Sequence, residues 1–260
     1  VALLSNKRRP IVIANWKLNG SSAFVSELLE GITEQWLGVH QAEIVVCPAF
    51  VYLAQAINEH LAHSNIVLGA QDCSQFEEGA YTGDVSAEML HDIGCHYVIV
   101  GHSERRRYYS ESDAQIARKF DLVHRAMMTP ILCVGETLEE RKDGKALEVI
   151  KRQVSAALDH CGLDKLGRCV VAYEPLWAVG TGITADPDQA QEIHAFIRQM
   201  LGPFGQAVRI VYGGSVKPEN AAALFAEPDI DGALLGRAAL RADDFIEICR
   251  AAELQQAVVK

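Results

Sequence analysis

The chain has 260 residues, 49% of them hydrophobic and 22% charged, enough for a sizeable core and inconsistent with disorder. Its 24 basic and 34 acidic residues give a net charge of −10, which argues against nonspecific nucleic-acid binding. The same charge means that an anionic ligand has to be captured by local donors and cations. Seven cysteines, at 47, 73, 95, 133, 161, 169 and 249, are odd in number and never spaced C-x-x-C. They read as buried thiols of a cytoplasmic protein, not as disulfides or a zinc site. Residues 1–9 read as a tail without a signal-peptide core, and residues 10–260 as one domain.

Short apolar runs recur in chain order: Ile11–Ala14, Ile44–Cys47, Ile66–Ala70, Tyr97–Val100, Ile131–Val134, Val170–Tyr173, Val208–Tyr212 and Ala233–Leu235. Most are continuous, as in strands buried on both faces. Helical spacing lies between them. Phe24, Leu28, Ile32 and Trp36 share one face of the first such segment. A later helix is announced by Asp186, Pro187 and Gln189, a cap, a first-position proline and a glutamine three residues after the cap. Asp243 is expected to precede the last helix. Eight strand–helix units without a long linker point to an α/β fold, a single closed (β/α)8 TIM barrel. An open doubly wound sheet is the alternative, but neither G-x-G-x-x-G nor a Walker loop is present.

Such barrels build their chemistry at the carboxyl ends of the strands. Those ends carry Asn15 and Lys17, Gln71 and Asp72, His102 to Glu104, Gly135 and Glu136, Glu174, Gly213 to Ser215, and Gly236 with Arg237. Any one of them has an ordinary structural reading as a cap, an ion-pair partner or a turn; their convergence on one rim favours a site. Glu174 is the base candidate, held extended by Pro175. The uncharged, glycine-containing stretch Leu176 to Gly182 reads as a lid that excludes water. His102, at the start of a helix, is expected to act as a neutral donor because the helix dipole disfavours its cation. The glycine turns after the last two strands suit a phosphate. His60 and His63 have helical i, i+3 spacing but no third metal ligand. Arg105 to Arg107 are expected to form a solvated ion-pair cluster with Glu104, Glu111 and Asp113.

Five ordered blocks carry a resemblance across about Pro10 to Ala252: Asn15-Trp16-Lys17-Leu18-Asn19-Gly20, Gly101-His102-Ser103-Glu104-Arg105-Arg106, Cys133-Val134-Gly135-Glu136-Thr137, Ala172-Tyr173-Glu174-Pro175-Leu176-Trp177 and Tyr212-Gly213-Gly214-Ser215-Val216. In these the chain resembles the triosephosphate isomerase family. The resemblance implies a cofactor-free, metal-free isomerase with Glu174 as base, His102 polarising the carbonyl, and Lys17 and Asn15 stabilising negative charge. It further implies Glu104 holding Lys17, and Gly180, Ser215 and Gly236 gripping the phosphate. It also implies a homodimer through the loop Gln71 to Asp84, with Thr82 bracing the neighbour's site. Departures from the family pattern fall at Arg237, usually glycine, at Ala239, Ile183 and Asp72. The backbone contact of Arg237 with phosphate is expected to survive, its side chain pointing away. Another phosphate-binding barrel isomerase would need metal ligands or paired aspartates at strand ends; a silent binding barrel would be expected to have lost the base or lid.

Overall fold

The computed structural model describes residues 8–178 and 186–257. Eight parallel strands follow in sequence order around a closed barrel: β1 (Ile11–Asn15), β2 (Glu43–Cys47), β3 (Ile66–Ala70), β4 (Tyr97–Val100), β5 (Thr129–Val134), β6 (Val170–Tyr173), β7 (Arg209–Tyr212) and β8 (Gly232–Leu235). Every apolar run of the sequence is a strand, with ends displaced by a residue or two. The continuous runs are explained by two cores. Ile11, Ile13, Val45, Cys47, Ile99, Ile131, Cys133, Ala172 and Val211 fill the barrel interior. Their neighbours Val12, Ala14, Ile44, Val46, Val98, Leu132, Val171 and Ile210 face outward under the helices. A strand buried on both faces has no position for a polar alternate. The barrel closes where Ile11 lies opposite Gly232. A Cβ on Gly232 would come within 1.8 Å of the Ile11 carbonyl oxygen, so this seam requires glycine.

The outer ring comprises α1 (Ser22–Gln35), α2 (Leu53–Ala56), α3 (Ala87–Asp92), α4 (Ser103–Tyr108), α5 (Asp113–Arg125), α6 (Leu138–Lys142), α7 (Ala146–Cys161), α8 (Leu163–Leu166), α9 (Pro187–Met200), α10 (Pro218–Phe225) and α11 (Ala242–Ala257). Asp186 caps α9 by accepting from the Asp188 N–H, with Pro187 at the first position, as the sequence predicts. The last helix differs from expectation. It begins at Ala242, which puts Asp243 inside its first turn, where a carboxylate still complements the positive end of the dipole. No helix among the described residues is long and apolar enough to cross a membrane. Arg8 donates to Asp231 at 2.6 Å and Arg9 to the Gln41 carbonyl at 2.9 Å, fastening the start of the described chain beside β1 and β2.

The end of α5 carries a local misfit. The Met128 N–H donates to the Val123 carbonyl and the Met127 N–H to that of His124, the paired bonds of a Schellman cap. That cap puts Met127 at φ +61, a left-handed conformation which glycine adopts without steric cost, on an exposed residue with little packing to lose. Met127→Gly is therefore expected to raise stability by about 1 kcal/mol. Urea unfolding at equilibrium, at fixed protein concentration, measures it; a lower midpoint would show that the methionine side chain outweighs the strain.

Candidate active site

Glu174 directly follows β6 and is 2% exposed. Its backbone N–H donates to the Val134 carbonyl at 2.8 Å, locking the end of β6 to that of β5. Its carboxylate accepts from the Ser103 backbone N–H at 2.9 Å and lies 2.9 Å from His102 Nε2. Two glycines make room for it. A Cβ on Gly135 would lie 1.8 Å from the Glu174 carbonyl oxygen, and one on Gly213 would lie 2.7 Å from its Cγ. The glycine-rich turn after β7 is thus required by packing against the base candidate, whatever else it binds.

His102 ends the β4 connection and is the cap residue of α4, its Nδ1 accepting from the Glu104 N–H at 3.3 Å. A nitrogen that accepts there carries no proton, so Nε2 carries it and points at Glu174. Burial disfavours the imidazolium, but the Glu174 carboxylate and its hydrogen bond favour it, and the His102 pKa lies above its ordinary value. Burial likewise raises the Glu174 pKa, while His102, the Ser103 N–H and Lys17 lower it, and the net direction is down. The upward pull on His102 comes chiefly from Glu174, with Glu104 adding to it and Lys17 opposing it.

Lys17 adopts φ +54, a costly backbone conformation for a lysine. It is held there from three sides. The Asn15 Oδ1 accepts the Lys17 N–H at 3.0 Å, Gln71 Nε2 donates to the Lys17 carbonyl at 2.9 Å, and Nζ meets Glu104 at 2.6 Å. Gly236, after β8, lies beside the same ammonium: a Cβ there would sit 3.7 Å from Nζ. Ser215 follows the Gly213-Gly214 turn and is half-buried.

A third cluster holds Trp177, near the start of the stretch that the sequence reads as a lid. Glu136, fully buried after β5, accepts through Oε1 from the Tyr173 hydroxyl (3.0 Å), Trp177 Nε1 (2.9 Å) and Arg141 (3.1 Å). Arg141 also covers the Trp177 ring at 4.9 Å. Gly180 and Ile183 lie outside the described residues.

The structure therefore brings Asn15, Lys17, His102, Glu104, Glu174 and Gly236 together. Thr82 is exposed on the loop after β3, a loop braced by Ser74–Asp84 at 2.6 Å and by Phe76 stacked on Tyr81. Arg237 is exposed and Ala239 is buried. The arginine cluster departs from its solvated reading. Lys119, buried, bonds both Asp72 and Glu111, and Arg105 reaches the same two carboxylates at 2.7 and 2.6 Å. Asp72 completes a four-charge group in which Arg105 alone is partly exposed; burial raises the Asp72 pKa although Lys119 opposes the shift. Among the described residues no three His, Cys, Asp or Glu side chains converge to hold a metal, and His60 faces Glu59 instead. Sequence reasoning gave no role to the Ser103 N–H, Gln71 or Glu136. The last two were visible as polar residues directly after buried strands, but a backbone donor leaves no signature in side-chain type.

The rim offers proton transfer beside a place for negative charge, so fold and site together define a (β/α)8 acid–base enzyme. A family model described as triosephosphate isomerase matches residues 10–252. Proteins named triosephosphate isomerase from Thiobacillus denitrificans, Alcanivorax borkumensis and Pseudomonas syringae pv. tomato are 52%, 49% and 48% identical to the chain. The alignments cover 94%, 95% and 94% of this chain and 99% of each relative. The chain belongs to the triosephosphate isomerase family, and it is an isomerase that interconverts dihydroxyacetone phosphate and glyceraldehyde 3-phosphate.

Proposed function

We propose that this interconversion runs through an enediol intermediate formed by carboxylate general-base catalysis at Glu174. The supporting observation is the placement of a buried carboxylate against His102 Nε2, with the Lys17 ammonium on the same rim. Glu174 leaves the Ser103 N–H, takes the proton from the carbon beside the carbonyl and returns it to the neighbouring carbon. The electron pair released moves onto the carbonyl oxygen. His102 Nε2–H gives its proton to that oxygen, and the same nitrogen then takes the proton of the neighbouring hydroxyl as the new carbonyl forms, while the Asn15 amide and Lys17 Nζ stabilise the oxyanion, without which so weak a carbon acid would not ionise to a carboxylate. Glu104 positions Lys17. Gly180, Ser215, Gly236 and the backbone of Arg237 grip the phosphate, and lid closure keeps water from the intermediate.

The active form is a homodimer in the cytoplasm. Tyr81, on the loop Gln71 to Asp84, and Leu18, Val51 and Met89 are exposed apolar side chains, and a second copy would cover them while Thr82 braces its site. Sedimentation equilibrium giving a monomer at micromolar concentration would remove the dimer.

Isomerisation in deuterium oxide, with no metal or nucleotide added, tests the proton route. Product isolated early is expected to carry solvent deuterium on the carbon that receives the proton. Turnover with complete retention of the substrate hydrogen, undiminished in Glu174→Gln, would mean direct hydride transfer between the two carbons and would overturn the base assignment, whereas retention that is lost together with turnover in that variant would mean that the base returns its own proton.

A further inference from the structure

A chain with net charge −10 has to admit a substrate that is itself a dianion near neutral pH. The cations that face the site are already committed to carboxylates. Lys17 is 2.6 Å from Glu104, and Arg141 is 3.1 Å from the buried Glu136. With the Glu174 carboxylate included, the described pocket has no surplus of positive charge to offer an approaching phosphate.

Two cations stand differently. Arg237 directly follows Gly236, which lies against Lys17, and Lys217 comes two residues after Ser215 in the turn packed on Glu174. Both are exposed. Among the described residues neither has an ion-pair partner, and residues 1–7, 179–185 and 258–260 contain no Asp or Glu. Each of the two turns read as the phosphate grip is therefore followed by an uncompensated, solvated positive charge.

We propose that Arg237 and Lys217 form a cationic entry for the dianionic phosphate, accelerating its capture without contacting the reacting atoms. This rests on the triose phosphate reading above. A unit cation about 8 Å from a dianion in water-like surroundings changes local concentration roughly fivefold at low salt. The effect acts on kcat/KM, and it fades as the screening length falls from ~30 Å at 0.01 M to ~3 Å at 1 M. The exposed guanidinium at 237 thereby exchanges the backbone freedom of a glycine for long-range attraction.

The test is kcat/KM for Arg237→Gln, Lys217→Gln and the double variant from 0.01 to 0.5 M potassium chloride, on glyceraldehyde 3-phosphate and on uncharged glyceraldehyde. At 0.01 M each single variant is expected to lose about fivefold and the double variant about 10- to 30-fold on the phosphate substrate alone. The gap should close to within about twofold at 0.5 M. A loss that persists at 0.5 M would mean direct contact. A loss shared by glyceraldehyde would mean a structural role, and no loss would mean none; each overturns the proposal. The same salt series read on inorganic phosphate affinity by calorimetry stands even if the wild type fails to isomerise, an outcome that would sink the functional reading separately.

Discussion

Glu174→Gln is expected to lower kcat/KM on glyceraldehyde 3-phosphate by about 10³-fold or more, the upper part of the ~10²–10⁴ range for removing a general base. The amide keeps the volume of the side chain and an oxygen for the Ser103 N–H, so the site stays packed and only basicity is lost. Glu174→Asp is the sharper probe. It keeps a carboxylate but withdraws it by a methylene, and a misplacement of about 1 Å costs on the order of 10²-fold. Steady-state kinetics beside thermal unfolding separate the two effects. The Glu174 pKa is held below its ordinary value in the folded chain, so its charge stabilises the fold above the unfolded pKa. That part is lost as pH falls through the folded value, and Glu174→Gln should remove this acid sensitivity together with the activity. Turnover within tenfold of wild type in Glu174→Gln, with the fold intact, would transfer the role of base to another group.

Much of this arrangement was legible in the sequence because burial leaves a compositional trace. Most of the eight runs are continuous, as suits strands covered on both faces, and the inner and outer cores account for that pattern. The polar residues at or just after the ends of those runs, Asn15, His102, Glu136 and Glu174, each had an ordinary structural reading, and it was their convergence on one rim that marked a site. What was not legible depends on backbone direction and on contacts distant in sequence. The Ser103 N–H that holds Glu174 is invisible to side-chain type. Arg105 among three arginines reads as a surface residue until Asp72, from another strand end, and Lys119, from α5, are seen to bury its partners. Asp243 has the composition of a cap, yet the helix starts ahead of it, since acids are accepted both at the cap and within the first turn. The left-handed φ of Lys17 was equally hidden, because nothing in a lysine announces a conformation imposed by Asn15, Gln71 and Glu104.

That imposed conformation leads to a second large effect. Lys17→Met should preserve the stem and the backbone strain while deleting the charge, and kcat/KM is expected to fall by about 10³-fold. Roughly 10²–10³ of this corresponds to the loss of one donor placed at developing negative charge. The rest comes from Glu104. With its partner gone, a carboxylate that sat 2.6 Å from the ammonium is left beside a dianionic substrate. The two contributions separate in a double-mutant cycle. Glu104→Gln alone should cost about tenfold, because Lys17 loses its tether but keeps its charge. Added to Lys17→Met, the same change should recover activity several-fold, because it now removes only repulsion. A sign reversal of this kind cannot arise if Glu104 merely stabilises the fold, since its loss would then lower activity on either background. A double variant whose loss equals the product of the two single losses would show that Glu104 does not act through Lys17, and its place in the site would have to be argued from its neighbour His102 instead.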